Sequence, residues 1–176
     1  AWTGTTAFPD WMDLVRVGFD GEAVTVFGER VEVEVHEETI AVAGEDARTI
    51  DAIRVPGYGV LLPDGLSPLP LVDAGEAVLL RWTGFTPTLE AASFFALGEA
   101  RTLDEFEAAV DSLTTGAFNW IFADANDIRY RSAPAVPMRA EGFDAPWRLV
   151  DGSAMQNAWN GETLPLDMLP RSEGGE

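Results

Sequence analysis

The chain is 176 residues long, which is enough for one domain with a substantial core but short for two independent domains. Its 30 acidic residues and 11 arginines, with no lysine, give a formal net charge of −19, so nucleic acid is a poor partner because phosphate binding needs a clustered basic face. A membrane-spanning helix is excluded because no apolar run reaches roughly 18 residues, and the lack of cysteine excludes disulfides and thiolate chemistry.

The acid excess and the start of the chain each carry an expectation. A dense carboxylate surface is typical of a salt-adapted organism, where screening removes self-repulsion; alternatively, the acids form an ordinary solvated face or are compensated by a missing neighbour. The chain opens on Ala1 without an initiator methionine and without the basic start and apolar stretch of a signal peptide. We therefore expect a processed or truncated piece of a longer product.

A hydrophobic period of two runs through residues 13–42. Apolar side chains alternate from Val15 to Phe19, the turn signal Asp20-Gly21 follows, and the alternation then resumes. Residues 31–35 alternate valine with glutamate throughout. Strands with one solvent-exposed face and one buried face have this pattern, so it predicts an antiparallel β-meander.

Further strands are predicted at residues 51–55, 58–62 and 77–83, the last being a compact apolar run bounded by turn residues. Between the second and third of these, residues 63–75 are rich in Pro, Gly and Asp, which predicts a surface loop.

Two helices are predicted next. Thr86-Pro87 places proline in a first turn, and residues 89–97 follow with an apolar face. That predicted face consists of Leu89, Ala92, Phe95 and Ala96. The second helix begins with a capping box, in which the Thr102 hydroxyl and the Glu105 carboxylate each accept from the other residue's amide, and apolar residues continue at helical spacing to residue 113.

Residues 119–132 have the pattern of a β-hairpin. Strand-like runs at 120–123 and 128–132 flank Asp124-Ala125-Asn126-Asp127, which are turn residues that bond their own main chain. Loops follow, and residues 170–176 are expected to form a frayed tail. Together the elements predict an α+β fold, mainly antiparallel β-sheet with two or more helices packed on it, in a single domain over residues 1–176.

One turn has the spacing of a metal site. Asp10 and Asp13, with the carbonyl of Met12 between them, present oxygens in several directions, which suits Ca²⁺. The alternative is a turn-forming aspartate before an exposed one. Phe8 and Trp11 adjoin this turn rather than a periodic element, so they are the aromatic residues best placed to line a pocket.

The other candidate groups favour ordinary surface roles. His36 is the only histidine and shares the wet face of its strand with Glu32 and Glu34, which favours a solvated imidazole over a general base. No serine stands in a nucleophile-elbow pattern. The glutamates are explained by strand alternation, which leaves glycosidase chemistry as a minor alternative.

The order of several motifs resembles the β-chain of the penicillin acylase family. The segment Trp2-Thr3-Gly4-Thr5-Thr6, followed by the turn from Asp10 to Asp13, is similar to the family's Trp-Gly-x-Thr segment and Asp-x-x-Asp turn. Glu37-Glu38-Thr39-Ile40 is similar to its Arg-Glu-Glu-Thr-Ile strand, and residues 119–130 are similar to its Asn-Phe-x-Tyr-Ala-Asp and Gly-x-Ile-Gly-Tyr hairpin.

Three further segments follow in the order that the family has. They are Leu80-Arg81-Trp82-Thr83, the capped helix, and a final motif from Leu164-Pro165 to Pro170-Arg171. Essentially the whole chain is therefore covered. Arg54-Val55-Pro56-Gly57 stands where the family has His-Gly-Pro, and this departure leaves the subfamily open.

The resemblance implies an N-terminal nucleophile hydrolase, in which a serine freed by self-cleavage attacks an amide carbonyl with its own α-amine as the base. Family layout places that serine roughly sixty residues before Ala1 and an oxyanion-binding asparagine beyond Glu176. Within the chain, the resemblance makes the backbone N–H of Thr6 an oxyanion donor and assigns Phe8 and Trp11 to the substrate pocket.

The resemblance also implies a structural calcium ion, held by Asp10, the Met12 carbonyl and Asp13. A further ligand is expected from the region of Asp144 and Ala145, where the family has proline in place of Ala145.

The chain is accordingly expected to be an internal segment of an amidohydrolase that cleaves linear amides, such as the acyl side chains of β-lactams or acyl-homoserine lactones. Its expected partners are the α-chain and the flanking β-chain of the same acylase and a small-molecule amide, with no nucleic acid and no membrane. Without the nucleophile the segment is expected to be inactive alone, and the family implies a periplasmic or extracellular location. The alternative is a non-catalytic, β-rich, calcium-stabilised binding module.

Overall fold

A computed structural model describes residues 1–63, 72–116, 118–141, 143 and 147–172. Its strands are β1 Trp2–Thr6, β2 Met12–Phe19, β3 Ala23–Val26, β4 Glu29–Glu32, β5 Glu34–Ile40, β6 Arg48–Val55, β7 Gly59–Leu61, β8 Glu76–Trp82, β9 Phe118–Ala123, β10 Ile128–Ser132, β11 Val150–Asp151 and β12 Arg171–Ser172. The α-helices are α1 Glu90–Glu99 and α2 Leu103–Asp111. Antiparallel sheets with two helices confirm the predicted α+β fold.

The chain divides into two compact units. The first unit contains Ala1–Trp11, Thr83–Met138 and Gly161–Glu176, and the second contains Met12–Trp82 and Arg139–Asn160. The expectation of a single domain stays a prediction. Neither described helix is long and apolar enough to cross a membrane.

The second unit is built on one sheet with the strand order β4-β3-β2-β8-β7-β6-β5. Strands β2 and β8 pair over seven residues, from Met12 opposite Trp82 to Gly18 opposite Glu76. Burial alternates along β2 as the period of two predicts, with Val15 and Val17 in the core.

The segment that returns to the second unit adds β11 in parallel beside β2. Gly152 follows β11, and its amide donates to the carbonyl of Arg16 over 2.9 Å. A Cβ at Gly152 would lie 2.4 Å from that same oxygen, so this close approach requires glycine.

The predicted meander is correct for β2, β3 and β4 and wrong beyond them. The alternating residues 31–35 do not form one strand, because β4 ends at Glu32 and β5 begins at Glu34. Between them the Val33 amide donates to the carbonyl of Glu22, and β5 pairs with β6 at the opposite end of the strand order. Hydrophobic alternation indicates a strand but does not show where a chain changes partner.

The first unit has a four-stranded sheet in the order β1-β9-β10-β12, with α2 packed on it. The predicted hairpin is confirmed: β9 pairs with β10 from Asn119 opposite Ser132 to Ala123 opposite Ile128. In the turn, the carboxylate of Asp124 accepts from the amides of Asn126 and Asp127.

Helix α2 is as predicted from its capping box, with both reciprocal hydrogen bonds formed between Thr102 and Glu105. Phe106 is fully buried and stacks on Phe122 of β9 with ring centroids 4.7 Å apart. Arginines of β10 bond to carboxylates of the helix: Arg129 to Asp104 and Glu107, and Arg131 to Asp111.

The predicted apolar face of α1 is wrong. The buried residues of this helix are Ser93 and Leu97, whereas Phe95 is 77% exposed and Leu89 is also exposed. The apolar residues of α1 are spread over most of its circumference, so helical spacing alone does not identify which face packs against α2.

Two other predictions fall partly outside the described residues. Of the predicted loop at residues 63–75, residues 64–71 are not described. Of the predicted frayed tail, residues 173–176 are not described, while Arg171 and Ser172 pair with β10 as a short strand.

Asp20 at the β2–β3 turn gives a pH-dependent prediction. Amides of Ala23 and Glu22 and the guanidinium of Arg30 donate to its carboxylate, and they lower its pKa from 3.8 to about 2. Because the folded-state pKa is depressed, the stabilisation is complete at about pH 5 and above. It is lost as the pH falls through the unfolded value of 3.8 toward the folded value of about 2.

The substitution Asp20→Ala should therefore lower the urea midpoint at pH 6, and the deficit should shrink as the pH is lowered toward 3. Asp46→Ala, which removes an exposed carboxylate from the connection between β5 and β6, is the control and should change little. A deficit that is independent of pH would contradict the role of the Asp20 charge.

Candidate functional site

The end of β1 is held by the β9–β10 hairpin. Thr6 is the last residue of β1 and lies opposite Phe118 of β9. The side-chain amide of Asn119 donates to the Thr6 carbonyl over 3.3 Å, and the Tyr130 hydroxyl donates to the Asn119 side-chain oxygen over 2.7 Å. Two neighbouring strands thereby fix the backbone at Thr6 through a chain of hydrogen bonds.

The aromatic residues predicted to line a pocket follow directly. The Phe8 side chain is 96% exposed, and Trp11 is partly buried. The Trp11 carbonyl accepts from the Thr83 amide over 3.2 Å, and the Trp11 amide donates to the Pro9 carbonyl over 3.1 Å. The backbone around Phe8 is therefore anchored on both sides while its ring stays exposed.

The residues predicted for the site are shared between the two units. Thr6, Phe8, Asp10 and Trp11 belong to the first unit, and Met12 and Asp13 belong to the second. Asp10 is exposed and Met12 is 42% exposed. The remaining predicted ligand region, with Asp144 and Ala145, lies outside the described residues.

Asp13 is the centre of a buried polar cluster in the second unit. It is 2% exposed, and both carboxylate oxygens bond to the guanidinium of Arg139, Nε to Oδ2 at 3.0 Å and Nη2 to Oδ1 at 2.9 Å. The indole N–H of Trp159 also donates to Oδ2. This two-pronged arrangement is the strongest geometry that an arginine and a carboxylate form.

Arg81 completes the cluster as a second cation. It lies opposite Asp13 across β2 and β8, is 8% exposed, and its guanidinium carbon is 4.2 Å from the Trp159 ring centroid. Among the described residues, its Nε and Nη1 have no hydrogen-bond partner. Burial lowers the pKa of this guanidinium, and the Asp13 charge opposes that shift.

Sequence reasoning missed the partners of Asp13. Arg139 and Trp159 stand 126 and 146 positions beyond it, so no local spacing connects them. Only Arg81 carries a sequence signal, because two predicted strands that pair would place it opposite Asp13.

The surroundings of Asp13 do not fit a calcium ion. Calcium needs several oxygen ligands, whereas Asp13 faces an indole N–H and a guanidinium, groups that only donate. No three acidic, histidine or cysteine side chains gather as ligands anywhere in the described part of the chain. His36, as predicted, is an exposed side chain, with its Nε2 atom 3.8 Å from a Glu34 oxygen.

The fold matches a solved structure, the thermostable penicillin G acylase from Alcaligenes faecalis, with a TM-score of 0.78 at 21% identity. The match covers 98% of this chain and 30% of that one. The family described as penicillin amidase matches residues 1–175, and the chain therefore belongs to that family.

A curated relative is the acyl-homoserine lactone acylase QuiP of Pseudomonas fluorescens (strain Pf0-1), which is 29% identical over 147 residues. The match covers 81% of this chain and 18% of the relative. The chain thus spans less than a third of the length of both proteins.

The unpartnered nitrogens of Arg81 give a prediction about stability. Arg81→Met removes the unsatisfied buried donors, which stabilises the fold, and it removes the cation–π contacts, which destabilises it. Because the two effects oppose each other, the free energy of unfolding should stay within about 1 kcal/mol of its original value. Urea denaturation measures this change.

The matched control is Arg131→Met, another buried arginine, whose Nε bonds Asp111 at 2.7 Å. Its loss should cost about 3 kcal/mol because the partner carboxylate is left unpaired. Equal losses in the two variants would contradict the difference between the two arginines.

Proposed function

We propose that the protein carrying this chain hydrolyses linear amide bonds, releasing an acyl group from a β-lactam nucleus, a homoserine lactone or a similar amine. The observation that carries the proposal is the penicillin amidase match over residues 1–175. The similarity to an acyl-homoserine lactone acylase supports the acyl amide class of substrate.

In this proposal, the chain supplies scaffold and binding groups, while the attacking serine belongs to another part of the protein. Attack on an amide carbonyl makes a tetrahedral intermediate whose oxygen carries negative charge. A backbone N–H aimed at that oxygen stabilises the transition state more than the substrate. The proposed donor is the N–H of Thr6.

Rigidity of the donor supports this role. A misplaced donor loses much of its effect, because catalysis by a preorganised dipole depends on fixed geometry. Thr6 ends a paired strand, and the Tyr130–Asn119–Thr6 hydrogen bonds fix its carbonyl. Asn119 and Tyr130 are therefore proposed as positioning residues for the oxyanion site.

The substrate's acyl group is proposed to contact Phe8 and Trp11. An aromatic ring that is 96% exposed on an anchored backbone offers apolar contact area without reorganisation of the main chain. A periplasmic or extracellular location fits small-molecule amides as substrates and is part of the proposal.

Amine release tests the proposed reaction. The intact protein should liberate free amine from phenylacetyl amides or from acyl-homoserine lactones, measured with an amine-reactive fluorophore, and the 176-residue chain alone should not. Absence of amine release from both substrate classes by the intact, folded protein would sink the proposal.

Tyr130→Phe in the intact enzyme tests the positioning role. Loss of the hydroxyl frees Asn119, so kcat should fall roughly tenfold while KM stays the same, as expected for an interaction made in the transition state. Tyr58→Phe is the matched control, since it removes a hydroxyl that donates to Glu29 in the second unit, and its kcat should be unchanged. A fall in both variants, or in neither, contradicts the assignment.

A further inference from the structure

We propose that the guanidinium of Arg139 serves as the counter-ion of Asp13 in place of a metal ion, and that the second unit is stable without calcium. The proposal concerns the turn whose sequence spacing predicts a calcium site. It is independent of the amidase activity, because every contact on which it rests lies within the second unit.

Three N–H donors already occupy most of the roughly four lone-pair positions of the Asp13 carboxylate. Arg139 spans both oxygens with two N–H groups, and the Trp159 indole adds a third donor. Hydrogens on these groups point at the carboxylate, and none of these groups offers a lone pair to a cation. A calcium ion that binds both oxygens side by side would have to displace the two hydrogen bonds of Arg139.

Charge makes that displacement unfavourable. Arg81 and Arg139 bring two positive charges close to the buried carboxylate of Asp13. A divalent cation beside them would add charge of the same sign where water screens little. A calcium site instead gathers carboxylate and carbonyl oxygens around the ion.

The pair also has a structural purpose that a metal ion commonly serves. Arg139 is the first residue of the segment that returns to the second unit, and its bonds to Asp13 attach that segment to β2. Trp159, near the end of the same segment, attaches its other end to the same carboxylate. One carboxylate therefore holds both ends of the returning segment.

Thermal melting of the intact protein, dialysed against a chelator, tests the proposal. Addition of millimolar CaCl2, compared with equal MgCl2, should cause no rise in the melting temperature that depends on Asp13. Arg139→Met should lower it by roughly 5 °C or more, because a buried carboxylate is left unpaired. Arg139→Lys keeps the positive charge but loses the pair of parallel hydrogen bonds, so its melting temperature should lie between those of Arg139→Met and the unmodified protein. Arg148→Met, at an exposed arginine of the same segment, is the matched control and should melt as the unmodified protein does.

Two results would overturn the proposal. One is a rise of several degrees with CaCl2 that Asp13→Asn abolishes, since calcium would then bind Asp13. The other is an equal melting temperature for Arg139→Met and Arg148→Met. A calcium-induced rise that survives Asp13→Asn supports the proposal, because the ion then binds elsewhere. If Arg139→Met fails to fold, Arg139→Lys and the calcium titration of the unmodified protein decide the outcome.

Discussion

The ion pair between Asp13 and Arg139 is the constraint on which the second unit depends, because it joins residues 126 positions apart. The chain leaves this unit after Trp82, forms most of the first unit and returns at Arg139. In its described residues the returning segment forms only the strand β11 and one short 3-10 helix, so it loses much conformational entropy when it orders against a sheet. The fork of Arg139, the parallel pairing of β11 with β2 and the close approach of Gly152 offset that loss at successive points along the segment.

The first unit uses its hairpin in a comparable way. Strand β9 lies between β1 and β10, so it carries the end of β1 on one side and the arginines that bind α2 on the other. Packing of Phe106 on Phe122 and the ion pairs of Arg129 and Arg131 fix the helix to the hairpin. The position of Thr6 consequently depends on the same two strands that organise the core of this unit.

Sequence patterns correctly predicted the structural features that depend on residues close together in the chain. The capping box of Thr102, the turn at Asp124 and the alternation along β2 were all visible because each depends on residues a few positions apart. Spacing could not show that the chain changes partner at Val33, which face of α1 is buried, or that Arg139 meets Asp13, because each depends on contacts between distant segments. The predicted site residues were found only through the order of motifs along the chain, which carries family membership but no geometry.

Strand β5 has a consequence for how copies of this protein behave toward one another. Among the described residues it is last in the strand order, all seven of its residues are exposed, and Val35 and Ile40 are exposed apolar side chains on it. A strand edge of this kind offers backbone groups for pairing with a second copy of the chain. Glu34, Glu37 and Glu38 place negative charge along that edge, so two such strands repel as they approach. The screening length of such charges is about 10 Å at 0.1 M salt and about 3 Å at 1 M salt. Concentrated salt therefore weakens the repulsion between carboxylates on one copy. It also weakens the repulsion between two copies that opposes edge-to-edge association.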